Sequence, residues 1–227
     1  MEASSATRSI ESMIKQITAP HHRLLVLLLL ADVVFIVLYG LYGFKFVSDP
    51  KFGLIEDWSY GEVYQYIKEL WIIALLPFVA VQQRTWRYGV WMLVFTLVLL
   101  DDSCQIHERI GDELSLWFNL PSFAGLRPQD FGEMLYAAVL GFSLLSLIAA
   151  SFWNASVLYR RTALQLIGLL AALAFFGVGV DMIRLEAYPL LDKMIGAIED
   201  GGEHLVISVI TWFVYLRSLP DATAAEA

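Results

Sequence analysis

Six apolar runs recur along the chain, each separated from the next by a short polar stretch. The first, Leu24 to Phe44, follows a segment that holds Arg8, Lys15 and Arg23. It ends in Tyr39, Tyr42 and Phe44 with no small-residue cleavage site, so it reads as an uncleaved transmembrane helix rather than a signal peptide. A second helix opens at Ser59. Ser59 and Glu62 have capping-box spacing, in which the two side chains satisfy free N–H groups at a helix start. It runs to about Gln83 through Pro77, and Trp58, Tyr60, Tyr64, Tyr66 and Trp71 suit the headgroup level. The third starts near Trp86, with a strictly apolar part only from Tyr88 to Leu100. Asp130 and Glu133 open the fourth, which extends to about Trp153. The fifth runs from about Thr162 to Val180. The sixth has an apolar part from Leu205 to Leu216.

The predicted fold is therefore all-α: one integral membrane bundle of six transmembrane helices over 23–218. A segment at 1–22 precedes it and a short tail at 219–227 follows. No internal repeat interrupts this reading. An even number of spans puts both termini on one side. Both short loops on that side, Gln82–Arg87 and Asn154–Arg161, carry only basic charges. With the two termini they total eight Lys/Arg and four acids, against seven and eighteen on the other side. Short basic loops face the cytoplasm, so the termini are expected there, in a bacterial-type inner membrane.

Composition agrees. The chain is 58% hydrophobic and 17% charged, where soluble chains average about 45–50% and about 25%. A soluble globular enzyme and a disordered tail are both excluded. The net charge of −8 argues against nucleic acid, which needs a basic footprint. One cysteine, Cys104, excludes an intramolecular disulfide and any multi-cysteine metal site.

Two polar motifs stand beside the shortest apolar runs. Asp101-Asp102-Ser103-Cys104-Gln105-Ile106-His107-Glu108 follows the third run, and Glu199-Asp200-Gly201-Gly202-Glu203-His204 precedes the last. Asp181 closes the fifth helix, with Arg184 nearby. A helix needs roughly 20 residues to cross the hydrocarbon, and the two short runs are well below that. The adjoining motifs are thus expected to complete the spans and to lie within the outer leaflet. A charge there costs about 2.5–3.5 kcal/mol unless it is paired or faces a cavity, so these groups are expected to face one another. On a continuous third helix, Asp101, Gln105, Glu108 and Asp112 share a stripe, and His107 and Asp101 do not readily share a site. On the last helix, Glu199 pairs with Glu203 and Asp200 with His204 at i,i+4, and Gly201 and Gly202 allow a close approach.

Two histidines with several carboxylates suit a mixed nitrogen and oxygen site for a divalent or transition metal ion. The expected ligands are His107, Glu108, Glu199, Glu203 and His204. Asp200, Asp101 or Asp181 is expected as general base or as hydrogen-bond partner of a ligating imidazole. Neither Glu-x-x-His nor His-Glu-x-x-His occurs. In carrying Ser, Asp and His on membrane helices, the chain is similar to the alkaline ceramidase and progestin-receptor-like superfamily of intramembrane metal hydrolases. That superfamily uses three His for zinc, has a His-x-x-x-His pair late in the chain and usually has seven helices. Here the late motif offers Asp200 and His204, with two intramembrane His and six helices.

Three readings follow. The first is a metal-dependent membrane enzyme acting on a lipid or quinone-like substrate. The second is a transporter or channel that carries protons or cations on the same acids, since intramembrane acids and His are the usual substance of such pathways. The third is a structural network in an assembly subunit. Asp32, within the first helix, either bonds a neighbouring helix or takes part in function. Glu62 and Glu69, seven apart, share a face of the second helix. Cys104 reads as a packing residue, and His21 and His22 as headgroup contacts.

Overall fold

The computed structural model describes residues 22–53, 58–123, 126–180, 182–183 and 189–220, the side chains of 189 and 192 excepted. The segments at 1–21 and 221–227, Asp181 and Arg184 lie outside the described residues.

Seven α-helices make up the described chain. They are α1 (Arg23–Gly43), α2 (Tyr60–Gln82), α3 (Tyr88–Ser103), α4 (Ile106–Trp117), α5 (Pro128–Ser151), α6 (Val157–Ala174) and α7 (Pro189–Ser218). A π-helical segment, Phe175–Val180, prolongs α6. Four helices are long and apolar enough to cross a membrane: α1, α2, α5, and α6 with its π-helical extension. The pair α3 and α4 would make a fifth, but it is bent by 71°. The outward faces are apolar, as at Leu27, Val34, Phe142, Leu145 and Leu164. Such surfaces, with backbone groups satisfied inside each helix, are compatible with a lipid environment.

The third predicted helix needs correction. It does not run on through Asp101 to Asp112. The chain breaks at Cys104 and Gln105, where Gln105 takes a left-handed backbone (φ 52°), and α4 turns away. The expected stripe of Asp101, Gln105, Glu108 and Asp112 is broken at this corner. The last helix behaves differently. Its 30 residues, about 45 Å at 1.5 Å per residue, carry the Glu199–His204 motif in mid-helix. Two starts also move. The N-cap of α5 is Arg127, whose backbone N–H and guanidinium donate to Asp130, a buried residue in the first turn. Ser156 caps α6, accepting from the Tyr159 N–H at 3.2 Å, so that helix begins before Thr162. Ser59 caps α2 as its spacing indicates, accepting from the Glu62 N–H at 3.1 Å.

The bundle has one dry end. Leu76 and Val79 of α2, Tyr88 and Trp91 of α3, Ile148 of α5, Tyr159 and Leu166 of α6 and Ile210 of α7 belong to one buried apolar cluster. Arg87 stitches this end by donating to the carbonyl oxygens of Ser151 (3.0 Å) and Trp153 (2.8 Å), at the end of α5. A basic side chain at a helix C-terminus satisfies its free carbonyls and complements its dipole.

Towards the other end the helices part. α7 packs on α1, α2 and α6, while α5 packs chiefly on α4 and makes little direct contact with α6. α4 and α5 cross where Gly111 meets Gly132. A Cβ on Gly132 would collide with the Gly111 carbonyl, and one on Gly111 would run into Glu133. This close crossing folds α4 back over the end of the bundle.

Candidate functional site

Two polar features share the interior, one closed and one open. The closed one joins α1, α2 and α7. Asp32, Lys68 and Ser208 are each 0% exposed. The Lys68 ammonium donates to Asp32 Oδ1 (2.8 Å), to the His204 carbonyl (2.8 Å) and to Ser208 Oγ (3.1 Å). Ser208 Oγ in turn donates to Asp32 Oδ2 at 2.6 Å. An ammonium has three N–H donors, and three oxygens take them. The Lys68 ammonium also stands 4.6 Å from the Tyr64 ring centre, a cation–π contact. The His204 ring lies nearly parallel to Tyr64 and Phe35, with centres 6.3 Å from each. Its Nδ1 is 3.4 Å from the Lys68 ammonium and 3.8 Å from Asp32 Oδ1. Charge and hydrogen bonds balance within this cluster, so three helices are tied together without exposing a net charge.

The open feature is a cavity of about 770 Å³. Carboxylates from five helices line it: Glu62 and Glu69 of α2, Asp101 and Asp102 of α3, Glu108 of α4, Glu133 of α5, and Glu199, Asp200 and Glu203 of α7. The basic side chains on its wall are few: among the described residues they are Arg127, engaged by Asp130 at 2.7 Å, and the imidazoles of His107 and His204. Lys68 is already committed to Asp32.

Several of the acids have protein partners. Asp101 accepts from the Tyr136 hydroxyl (2.9 Å) and lies 3.4 Å from His107 Nδ1. Glu133 accepts from the Gln129 amide at 2.7 Å, and Glu203 from the Gln65 amide at 3.2 Å. Glu69 differs. It is 1% exposed, and neither carboxylate oxygen has a hydrogen-bond partner. A buried, unpaired carboxyl group is expensive. Its neighbour Lys68 gives its hydrogen bonds to Asp32, His204 and Ser208, and none goes to Glu69.

Local sequence accounts for the shape of this wall. Glu62 and Glu69 share a face of α2 at i,i+7. Gly177, in the π-helical segment, leaves room for the Glu203 carboxylate, which a Cβ there would strike. Gly202 likewise admits the Phe176 ring, and a Cβ on Gly201 would touch Ile36 at 3.4 Å. Single-turn π segments are frequent at functional sites.

The expected ligands His107, Glu108, Glu199, Glu203 and His204 all line this one cavity, and so do Asp101 and Asp200. They do not close on a common point. Among the described residues, no group of three or more His, Cys, Asp or Glu is placed to hold a metal ion. His204 is turned towards Lys68 and Asp32 instead. The expectation that His107 and Asp101 occupy separate sites is overturned. The left-handed turn at Gln105 swings the first turn of α4 back over the end of α3, and the two meet. Asp181 lies outside the described residues. Cys104 is exposed, and the His22 ring lies tilted against Trp212 with centres 5.4 Å apart.

Lys68 and Gln65 escape a reading based on acids and histidines. The signal for Lys68 was Asp32, since a carboxylate at mid-helix in α1 calls for a cation at the same depth on a neighbour.

No curated protein and no solved structure matches the chain. A family profile described as "Domain of unknown function (DUF8692)" matches residues 25–219, nearly all of the helical region built above. The chain therefore belongs to the DUF8692 family.

Proposed function

We propose that the protein is a cation-binding membrane carrier, in which the acid-lined cavity receives a cation from one side of the bilayer. In this reading α7 is a further span, α3 crosses alone, and α4 lies across its end. That arrangement makes six crossings with both termini on the cytoplasmic side, as the basic short loops suggest. Intramembrane ionisable groups that face a cavity are functional-site candidates by default.

The observation that carries the reading is Glu69. Its buried carboxyl oxygens have no hydrogen-bond partner among the described residues, at the wall of a cavity where acids outnumber cations. A cation entering the cavity would supply both the missing hydrogen bonds and the missing charge. Asp102 and Glu203 are the acids best placed to share it. The closed cluster of Asp32, Lys68 and Ser208 holds α1, α2 and α7 in register behind it. Among the described residues the ligand-like side chains do not converge, so the reading places no resident divalent or transition metal ion in the cavity.

The test uses the full chain in proteoliposomes, with uptake of labelled methylammonium and of rubidium measured under an imposed gradient. The expected result is uptake above empty vesicles for at least one ion, reduced at least tenfold by Glu69→Gln. Glu69→Gln keeps the side chain's size. No flux for either ion, or flux indifferent to Glu69→Gln, overturns the proposal.

A further inference from the structure

The cavity has a second half that the acids do not explain. Beyond Glu133 its walls become apolar and follow two helices at helical period. Leu140, Leu144 and Ile148 line it from α5, and Ile167, Leu170 and Ala174 line it from α6. From Glu133 to Ile148 the α5 wall covers about 22 Å at 1.5 Å per residue. The slot also reaches the outside of the bundle. Leu145 and Val178 line the cavity yet remain 54% and 38% exposed on its apolar flank. This is where α5 and α6 make little direct contact.

We infer that the cavity takes an amphiphile with a protonated amine head and a hydrocarbon tail, admitted sideways from the membrane between α5 and α6. The inference rests on the cation-binding reading above and adds the class of ligand.

The head follows from charge and hydrogen bonding. Carboxylates crowd one end of the cavity and are absent from the slot. Glu69 lacks hydrogen-bond donors, and an amine head has N–H groups to give. A quaternary ammonium has none, and it is normally held by an aromatic cage. Among the described residues, Tyr136 is the one Phe, Tyr or Trp side chain on the cavity wall, and a single ring does not make a cage. The tail follows from the slot. A chain leaving the bilayer exchanges one hydrocarbon environment for another and gains little by doing so. The slot therefore has only to be open and apolar, while selectivity stays with the head. The cavity volume falls within the range usual for small-ligand sites.

Gly141 gives a clean handle. It lines the cavity, and a Cβ placed on it meets nothing within 4 Å. Gly141→Phe should plug the slot without disturbing the acids. Ala137→Leu, on the same wall, serves as a second plug if the first fails to fold. Equilibrium dialysis of the full chain in phosphatidylcholine nanodiscs, against empty nanodiscs, would compare dodecylammonium, propylammonium and dodecyltrimethylammonium. The expected result is saturable dodecylammonium binding, weakened at least tenfold by a plug variant, with propylammonium binding unchanged by it. Dodecyltrimethylammonium should bind at least tenfold more weakly than dodecylammonium.

A folded plug variant that binds dodecylammonium as the parent does would overturn the inference, and so would equal binding of the trimethyl analogue. If propylammonium still binds in a Glu69-dependent way in those cases, the cation reading survives without the amphiphile. If Glu69→Gln affects no ligand, both fall.

Discussion

Replacing Lys68 by Met is the most informative single perturbation of the closed cluster. The substitution keeps an unbranched chain of similar length and removes the ammonium. Asp32, 0% exposed, then keeps only the Ser208 hydroxyl at 2.6 Å, and the His204 carbonyl loses the 2.8 Å bond from Lys68. Breaking a buried ion pair from one side typically costs about 3–5 kcal/mol, because the other charge is left unpaired. Asp32→Leu should cost a similar amount, since it strands the ammonium. The double variant Asp32→Leu/Lys68→Met leaves neither charge behind, and replacement of a whole buried pair by apolar groups is often near neutral. It should therefore be more stable than either single variant, with a coupling of about 3 kcal/mol or more. Reversible unfolding in mixed detergent micelles, followed by tryptophan fluorescence, gives all four corners of the cycle. Single variants that each cost under about 1 kcal/mol and add without coupling would refute the account of this cluster as a desolvated pair, and would be typical of an exposed one.

Other outcomes follow from the same geometry. Gly132→Val should unfold or displace the α4–α5 crossing, because its Cβ runs into the Gly111 carbonyl; faster proteolysis within 118–127 than in the parent would report it. Gln105→Gly should leave stability unchanged or raise it by up to about 1 kcal/mol by relieving a left-handed residue, whereas Gln105→Val should lower it; thermal unfolding in detergent separates the two. Gln65→Leu removes the amide that donates to Glu203 and should weaken methylammonium uptake severalfold without changing the unfolding temperature by more than a few degrees, as read in proteoliposomes and by calorimetry.

Hydropathy located the apolar elements well because an apolar outer face, compatible with lipid, and a dry core demand the same composition. It did not reveal the corner after α3. By length alone the two acidic motifs are alike, yet they behave differently. Glu199–His204 is drawn into the 30-residue α7, where close packing at Gly201 and Gly202 offsets their helix cost of about 1 kcal/mol each. The other motif turns at Gln105, and a left-handed glutamine carries no signature comparable to glycine or asparagine. That turn also made the helical-wheel separation of His107 from Asp101 inapplicable. The cavity acids were legible because so many carboxylates on short apolar segments have to meet somewhere polar. Lys68 was legible in principle. Lys68 is the ninth of 23 residues in α2 and Asp32 the tenth of 21 in α1, so both fall near mid-helix in consecutive apolar segments. The apolar slot was not legible, because a helix face that lines a cavity and one that faces lipid look the same in sequence.

The central claim is that the Glu69 carboxylate awaits a cation. Infrared difference spectroscopy of the reconstituted protein tests it most directly, with dodecylammonium and methylammonium added in turn. The account predicts a change in carboxyl or carboxylate bands on cation addition that disappears in Glu69→Gln. A difference spectrum identical in the parent and in Glu69→Gln would contradict it.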